Sequence, residues 1–377
     1  MCLTPIARSV PLLCLHVSAG DTRWEKEEIG MASAEPVTGP RQPWQNHEAT
    51  DLRVCRSTGR PVSLAYDVAG DPSRQPLVLL VAGLNQNLEM YPDGFCAGIR
   101  AMGFAVARFD NRDVGLSTHF DDLTPPSPLL TVVPNWLKGG PPKVPYTLDD
   151  MADDALALAE HILATHGGGH AGGYHVIGTS MGGMIAQLMA LRIADKTRIR
   201  SVTLVMSHSG APGVGEAALY PTKLLLLKQP KNTEKQTVID FRVEMNFAIG
   251  WPYHLRNPRT EAFTRALVTR QMDRSEYRKG VQRQIAAITA AGPRDERLRA
   301  ASLRGEFPPT LVMHGLDDRL VPPSGGYRLA QCIHGATLQV LPHWGHNFDP
   351  SLFAAQAAAI GDVLRLGEER AAAVRRA

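Results

Sequence analysis

One stretch of this chain, residues 174–183 (YHVIGTSMGG), constrains its fold more than any other. A short apolar run ends in Gly-x-Ser-x-Gly and leads directly into MIAQLMAL, which has the composition of a helix. The pattern predicts a strand, a sharp turn and a helix, with Ser180 at the apex. Little bulk fits beside such a turn, so Gly178 and Gly182 are required on either side of the serine. The turn exposes the hydroxyl at a helix N-terminus, which suits a nucleophile.

A serine hydroxyl is a poor nucleophile near neutral pH, so it needs a base and a carboxylate that orients the base. In a sheet of this kind both follow the serine, with the acid before the histidine. Residues 309–315 are typical of an apolar strand and lead into LDDRLVPP, which contains Asp317 and Asp318. Residues 337–342 form the next predicted strand, and His346 follows it. Ser180, His346 and one of the two adjacent carboxylates are therefore the candidate catalytic residues.

These motifs resemble those of the α/β-hydrolase superfamily, in its serine esterase type. Residues 178–182 (GTSMG) match the nucleophile elbow of that family, residues 314–322 (HGLDDRLVP) resemble its acid-bearing turn, and residues 345–346 (GH) resemble its histidine motif. The place of the acid in that turn implies Asp318 and leaves Asp317 as a turn residue. Residues 109–118 (FDNRDVGLST) are similar to the branch that contains aclacinomycin methylesterase and related small-molecule esterases.

The segment after the predicted third strand departs from the family pattern. Many relatives have His-Gly there, whereas this chain has Ala82-Gly83-Leu84. Alanine cannot supply any role of the histidine side chain, but an oxyanion hole made of backbone N–H groups survives the change. The candidate donors are the amides of Leu84 and Met181.

The order of predicted elements indicates the fold class α/β, with a mostly parallel central sheet covered by helices on both faces. Polar helical stretches interrupt this order from about residue 211 to residue 304, and we interpret them as an inserted helical cap. The expected organisation is an N-terminal extension that is disordered or removed (1–50), the first part of the core (51–210), the cap (211–304) and the second part of the core (305–377).

Two tryptophans are candidates for contact with the substrate. Trp251 lies in the expected cap, and Trp136 lies in a loop rich in Pro and Gly between residues 125 and 145. A cap can bury a substrate and exclude water. Apolar side chains of a cap also pack it onto the sheet, and this alternative stays open for each of them.

Composition disfavours several other classes of protein. The 377 residues can bury a large core, and 44% hydrophobic with 20% charged residues is ordinary for a globular protein. A net charge of +3 without a long basic run argues against a nucleic-acid partner. The five cysteines are widely spaced and lack Cys-x-x-Cys, which indicates neither a disulfide framework nor a zinc site. His343 and His346 without carboxylate partners are weak evidence for a metal, and we expect no metal and no cofactor.

Apolar runs are too short for a membrane helix of about 18 residues, so integral membrane association is not expected. Residues 10–19 follow Arg8 and have an apolar core, interrupted by Pro11 and His16, that is typical of a weak signal peptide. Met31 is an alternative start. We expect a cytoplasmic protein, or an exported one if residues 1–19 act as a signal peptide.

The sequence predicts a serine hydrolase that cleaves a small-molecule carboxylic ester with an apolar portion through an acyl-enzyme on Ser180. The residues alone indicate acyl transfer, whereas the resemblance implies carboxylic or methyl esters. A carbon–carbon bond hydrolase, a peroxidase-like enzyme or a lyase could use the same residues. A non-catalytic ligand-binding homologue is a further alternative, because fold does not fix function.

Overall fold

The computed structural model describes residues 44–125, 143–166, 172–215, 230, 234–250 and 256–376. Its centre is an eight-stranded sheet with the order β1-β2-β4-β3-β5-β6-β7-β8. The strands are β1 (Gln45–Val54), β2 (Pro61–Ala69), β3 (Leu77–Val81), β4 (Ala105–Phe109), β5 (Tyr174–Thr179), β6 (Ile199–Val205), β7 (Thr310–Gly315) and β8 (Thr337–Leu341). Strand β2 is antiparallel to β1 and to β4, and the other pairs are parallel. The predicted mostly parallel sheet is therefore confirmed.

Helices follow most of the strands. Those in the described residues are α1 (Asp93–Arg100), α2 (Leu148–Thr165), α3 (Met181–Arg192), α4 (Lys235–Ile249), α5 (Pro258–Arg274), α6 (Val281–Ala290), α7 (Asp295–Leu303), α8 (Ser324–Cys332) and α9 (Phe353–Arg376). Across the described ranges, no helix combines the length and the apolar character needed to span a membrane.

Strand β3 shows why the sheet is covered on both faces. All five residues of LVLLV are fully buried. Leu77, Leu79 and Val81 belong to an apolar core shared with α2 and α3, whereas Val78 and Leu80 belong to a second core shared with α1 and α9. Successive side chains of a strand point to opposite faces, so a continuous apolar run requires a helical layer on each side.

Strand β1 corrects the expected end of the N-terminal extension at residue 50. It begins at Gln45 and pairs antiparallel with β2, with Gln45 opposite Val68. Residues 45–50 of the expected extension therefore belong to the sheet. The segment is mostly exposed and lies at the edge of the sheet, so it lacks the apolar alternation that identifies a half-buried strand.

The inserted region contains helices, as predicted, but these helices pack in two different ways. Helices α4 and α5 share an apolar cluster of their own, formed by Val238, Ile239, Val243, Phe247, Val268 and Met272. Helices α6 and α7 instead contribute Ala287, Leu298 and Ala301 to the core that includes α2 and α3. The α4–α5 pair is thus the part of the insertion with a separate apolar cluster.

Ion pairs attach the inserted helices to the segment that follows β4. Asp110 accepts a hydrogen bond from Arg274 of α5 at 3.0 Å, and Asp113 accepts one from Arg283 of α6 at 2.7 Å. Arg112 pairs with a carboxylate of α2. These buried charges are paired, as burial requires, and they fix the insertion to the core beside the carboxyl ends of the strands.

Helix α2 begins with a capping box formed by Thr147 and Asp150. The side chain of Thr147 accepts a hydrogen bond from the amide of Asp150 at 3.1 Å, and the amide of Thr147 donates to the Asp150 carboxylate at 2.9 Å. Thr147→Ala removes this N-cap, so we expect the free energy of unfolding in urea to fall by about 0.5–2 kcal/mol. Thr147→Ser keeps the hydroxyl and should retain most of the stability. Equal stabilities for the two variants would contradict the capping role.

Candidate active site

Ser180 occupies the turn between β5 and α3 with φ 57° and ψ −118°. A positive φ is uncommon for a residue with a side chain and persists only where its surroundings hold it. The amide of Ser180 donates to the carbonyl of Val205 at 2.8 Å, and its carbonyl accepts from the Ser207 hydroxyl at 2.9 Å. The predicted strand–turn–helix is confirmed, and neighbouring strand ends hold its apex.

The glycines around Ser180 allow the backbone to pack closely. A β-carbon at Gly178 would clash with the carbonyl of Gly182, and one at Gly182 would clash with the carbonyl of Val81 in β3. Helix α3 therefore approaches β3 and β5 closely, as the sequence predicts for Gly178 and Gly182. The approach sets the N-terminus of α3 at the carboxyl ends of the parallel strands, where ligands bind in open α/β sheets.

His346 and Asp318 form the second part of the site. Nδ1 of His346 lies 2.7 Å from Oδ2 of Asp318. Oδ1 of Asp318 accepts the amides of Leu320 at 2.9 Å and Val321 at 2.8 Å. Of the two adjacent carboxylates, Asp318 is thus the one in contact with His346, while Asp317 is a turn residue that is only partly buried.

The surroundings of Asp318 favour its ionised form. Burial raises the pKa of this carboxyl, but His346 and His314 outweigh burial and hold the pKa below its usual value. His314 contributes through Nε2, which lies 3.5 Å from Oδ2 of Asp318. A carboxylate on Nδ1 of His346 favours the tautomer that carries its hydrogen there and leaves Nε2 available as a base.

Ser180 and His346 line the same cavity, which has a volume of about 220 Å³. Leu84 and Met181 line it as well, so the structure brings four of the predicted site residues together, with Asp318 behind His346. Most of the other lining is apolar. It includes the methionines Met90, Met181, Met184, Met206 and Met245. Methionine side chains are flexible and polarisable, so such a lining adapts to apolar ligands of different shape.

The two candidate oxyanion donors come from elements that meet at Ser180. Met181 is the first residue of α3, so its N–H is among those without an acceptor inside the helix. Leu84 lies in the loop after β3, beside Gly83. A β-carbon at Gly83 would lie 3.4 Å from Cβ and 3.9 Å from Oγ of Ser180, so this loop passes directly against the serine.

Glutamine side chains from the inserted helices hold this loop in place. Gln284 of α6 accepts the amide of Asn85 at 2.8 Å, and Gln271 of α5 donates to the side chain of Gln86 at 2.8 Å. Gln271 and Gln284 are not identifiable from the sequence, because no pattern distinguishes a glutamine that holds a distant loop from any other glutamine in a polar helix.

Helix α4 ends against the loop that contains His346. The amide of His346 donates to the carbonyl of Ile249 at 3.0 Å. A β-carbon at Gly345 would clash with the carbonyl of Gly250, so the two backbones pack directly on each other. Met245 and Ile249 of the same helix line the cavity. Helix α4 therefore contacts both the cavity and the backbone of the candidate base.

The two tryptophans predicted to contact the substrate, Trp251 and Trp136, lie outside the described residues. In the part of the chain that the structure describes, no group of three or more His, Cys, Asp or Glu side chains is arranged to hold a metal ion.

Comparisons with known proteins agree with this fold. Residues 76–348 match the sequence profile of the family described as alpha/beta hydrolase fold. The chain is 28% identical over 332 residues to rhodomycin D methylesterase DauP of Streptomyces sp. strain C5, covering 79% of this chain and 94% of that protein. It is 28% identical over 334 residues to rhodomycin D methylesterase DnrP of Streptomyces peucetius, covering 80% and 95%.

Relatives with other names match less of the chain. A 2-hydroxy-6-oxononadienedioate/2-hydroxy-6-oxononatrienedioate hydrolase of Paraburkholderia xenovorans is 27% identical over 172 residues, covering 46% of this chain and 55% of that protein. Among solved structures, the enol-lactonase from Burkholderia xenovorans has a TM-score of 0.56 and 23% identity, covering 81% of this chain and 97% of that one.

The fold and the profile match together define the class: the chain belongs to the α/β-hydrolase family. Within that family its similarity to the two methylesterases matches the branch that residues 109–118 indicate, and the protein is a hydrolase.

His208 follows β6 and packs beside the site without lining the cavity. Its Nδ1 accepts the amide of Gly210 at 3.1 Å. Burial, followed by the electrostatic effects of Arg294 and His314, lowers the pKa of His208 to about 4. His208 is therefore neutral in the folded protein near neutral pH.

This lowered pKa predicts a defined loss of stability in acid. The unfolded chain, with a pKa of about 6.5, binds more protons than the folded one between pH 6.5 and 4. The contribution of His208 to the free energy of unfolding is thus complete above about pH 6.5 and is lost as the pH falls towards 4. In urea titrations at several pH values, the free energy of unfolding of His208→Asn should fall less steeply with decreasing pH than that of the wild type.

The free energy of unfolding of the variant should still fall in acid. Burial also lowers the pKa of His175, so this residue destabilises the folded protein in acid as well. If the free energy of unfolding of His208→Asn depends on pH as steeply as that of the wild type, His208 has the same pKa in the folded and unfolded states, which would contradict the prediction.

Proposed function

We propose that the protein is a serine esterase that hydrolyses a small-molecule carboxylic ester, including methyl esters, through an acyl-enzyme on Ser180. The observation that carries this proposal is the convergence of Ser180 and His346 on one cavity, with Asp318 bonded to the far side of the imidazole at 2.7 Å. The methylesterase names of the two relatives that match most of the chain support the ester bond as the target.

In the proposed mechanism, Oγ of Ser180 attacks the carbonyl carbon while Nε2 of His346 takes its proton. Asp318 holds the imidazole and stabilises the imidazolium that forms. The amides of Leu84 and Met181 donate to the negative oxygen of the tetrahedral intermediate. The alcohol then leaves with the proton from His346, and a water molecule, deprotonated by the same histidine, releases the acid.

The inserted region 211–304 acts in this proposal as a cap, with the α4–α5 pair over the serine. Met245 and Ile249 of α4 and Leu267 and Val268 of α5 line the cavity on that side. An apolar roof excludes water from the acyl-enzyme and favours an apolar acyl or alcohol portion.

A carbon–carbon bond hydrolase is the second candidate, because one relative carries such a name at 27% identity. A panel that pairs methyl and p-nitrophenyl esters with vinylogous diketones separates the two. An esterase should release alcohol from the esters at rates well above the diketone cleavage rate. Preferential cleavage of the diketones, identified by mass spectrometry of the products, would establish the second candidate instead.

Replacement of the nucleophile is the sharpest test of the proposal. Ser180→Ala should abolish covalent labelling by a fluorophosphonate probe and lower turnover by roughly six orders of magnitude. The fold should survive, because the variant loses only the hydroxyl and keeps the backbone hydrogen bonds that hold the turn. Ser207→Ala is the matched control, since its hydroxyl donates to the carbonyl of Ser180 rather than to the reacting hydroxyl, and should leave labelling in place. Wild-type turnover by a folded Ser180→Ala protein would refute the mechanism.

Exchange of the two neighbouring carboxylates tests the acid. Asp318→Asn should lower turnover by about 10⁴-fold, because the amide favours the wrong tautomer of His346. Asp317→Asn should have a far smaller effect, since Asp318 is the carboxylate bonded to the imidazole. Ester turnover by the two purified variants, with circular dichroism to verify folding, provides the comparison. The reverse ranking would assign the acid to Asp317.

A further inference from the structure

Arg242, a buried arginine of the α4–α5 pair, has no partner among the described residues. Arg242 of α4 is only 7% exposed. Among the described residues, no side chain or carbonyl accepts a hydrogen bond from its guanidinium group, and no carboxylate pairs with it. A buried charge is costly unless it is paired, so an unpaired one points to a missing ligand.

The other buried arginines of the described structure show that this is an exception. Arg108, Arg112 and Arg283 pair with carboxylates, and Arg200 pairs with Glu368. Arg294 lacks a carboxylate at bonding distance, but a glutamine side chain and two carbonyls accept its N–H groups. Five of the six buried arginines thus have at least one carboxylate, amide or carbonyl partner inside the described protein, and Arg242 has none there.

The position of Arg242 on α4 places it beside the cavity. Met245, Asn246 and Ile249 line the cavity and lie three, four and seven residues after Arg242. Residues at these spacings share one face of a helix. Arg242 therefore lies on the cavity-lining face of α4, one turn before the residues that line it.

The register between α4 and α5 supports the same placement. Lys235 pairs with Asp273 at 3.0 Å and Asp240 pairs with Arg265 at 2.5 Å, so the two helices run antiparallel. The cavity-lining residues 267–271 of α5 are consequently level with the part of α4 that precedes Arg242. Along the helix axis, Arg242 lies between the cavity-lining residues of α5 and those of α4.

A second arginine, Arg278, acts electrostatically on Arg242. Arg278 is partly buried, donates to the carbonyl of Pro230 at 3.2 Å, and has no carboxylate partner among the described residues. Burial, and next the charge of Arg278, lower the pKa of Arg242 to about 10, so Arg242 stays protonated near neutral pH. Two guanidinium groups that act on each other, with no anionic partner in the described part of the chain, favour the binding of a planar anion.

We propose that Arg242 and Arg278 form a carboxylate-binding subsite beside the cavity, and that the substrate is an ester with a carboxylate remote from the scissile bond. The substrate half of this inference rests on the proposed esterase function, whereas the binding half does not. The methionine-rich cavity then holds the apolar spacer between the ester at Ser180 and the carboxylate at Arg242. A fork of N–H donors binds a carboxylate through two parallel hydrogen bonds, which gives orientation as well as affinity.

Binding is tested first, without any turnover. Suberate, a dicarboxylate with an apolar spacer, should raise the Tm of the wild type in a concentration-dependent manner, measured against sodium chloride at equal ionic strength. Arg242→Met should lose this shift. Arg265→Met is the matched control, since Arg265 is a surface arginine of the same helix pair, 40% exposed, and should keep the shift. Equal suberate shifts in the wild type and Arg242→Met would overturn the subsite.

The stability of the unliganded protein gives a second readout. Arg242→Met should fold with a Tm at or above that of the wild type, because it replaces an unpaired buried charge with an apolar side chain of similar length. A fall in the Tm would mean that the Arg242 side chain also supports the packing of α4, so its suberate result alone would not decide. Arg278→Gln, at a partly exposed position, then decides the binding question by weakening the suberate shift or leaving it unchanged.

The substrate half is tested with monomethyl suberate and methyl octanoate, which differ at the remote end. The wild type should prefer the charged ester in kcat/KM. Arg242→Met should lose 10- to 150-fold on the charged ester, the range of hydrogen bonds to charged groups, and less than about threefold on the neutral one. Equal losses on both esters would overturn the substrate assignment. If neither ester is cleaved while the suberate shift still depends on Arg242, the esterase proposal fails and the subsite stands.

Discussion

The close approach of α3 to β3 and β5 at the turn of Ser180 is the constraint on which the rest of the site depends. The approach exists because Gly178 and Gly182 carry no β-carbon at points where the carbonyls of Gly182 and Val81 fill the space. It forces positive φ on the serine, opens the helix N-terminus towards the strand ends, and places the amide of Met181 beside the loop of Leu84. The close packing of the backbone therefore determines the geometry of the candidate catalytic residues.

The inserted helices act on that geometry from two sides. Gln271 and Gln284 hold the loop of Leu84, and the carbonyl of Ile249 holds the amide of His346. The region that the sequence predicts to cover the substrate thus also supports the candidate oxyanion donor Leu84 and the candidate base His346. Movement of α4 relative to the core would change the position of His346, which couples the proposed selectivity of the cap to the chemistry below it.

The sequence predicted the parts of the site that local pattern determines. Strand, turn and helix around Ser180 follow from the glycines and the apolar runs. Strand β1 was not predicted, because an exposed edge strand carries little apolar periodicity. The roles of Gln271 and Arg242 could not be predicted either, since each depends on how helices distant in sequence pack against loops and against one another.

Residue types alone do not define such a site, as a second trio on strands β5 and β6 and helix α9 demonstrates. His175 lies 2.7 Å from the hydroxyl of Ser201 through Nδ1 and 2.9 Å from Glu368 through Nε2. Ser201 is 1% exposed and does not line the cavity at Ser180, and Glu368 also pairs with Arg200. This serine is a regular strand residue near the amino end of β6, away from a helix N-terminus and from oxyanion donors. The same three kinds of side chain form a buried structural network there, because Ser201 lacks the access, the strained turn and the aligned N–H groups that Ser180 has.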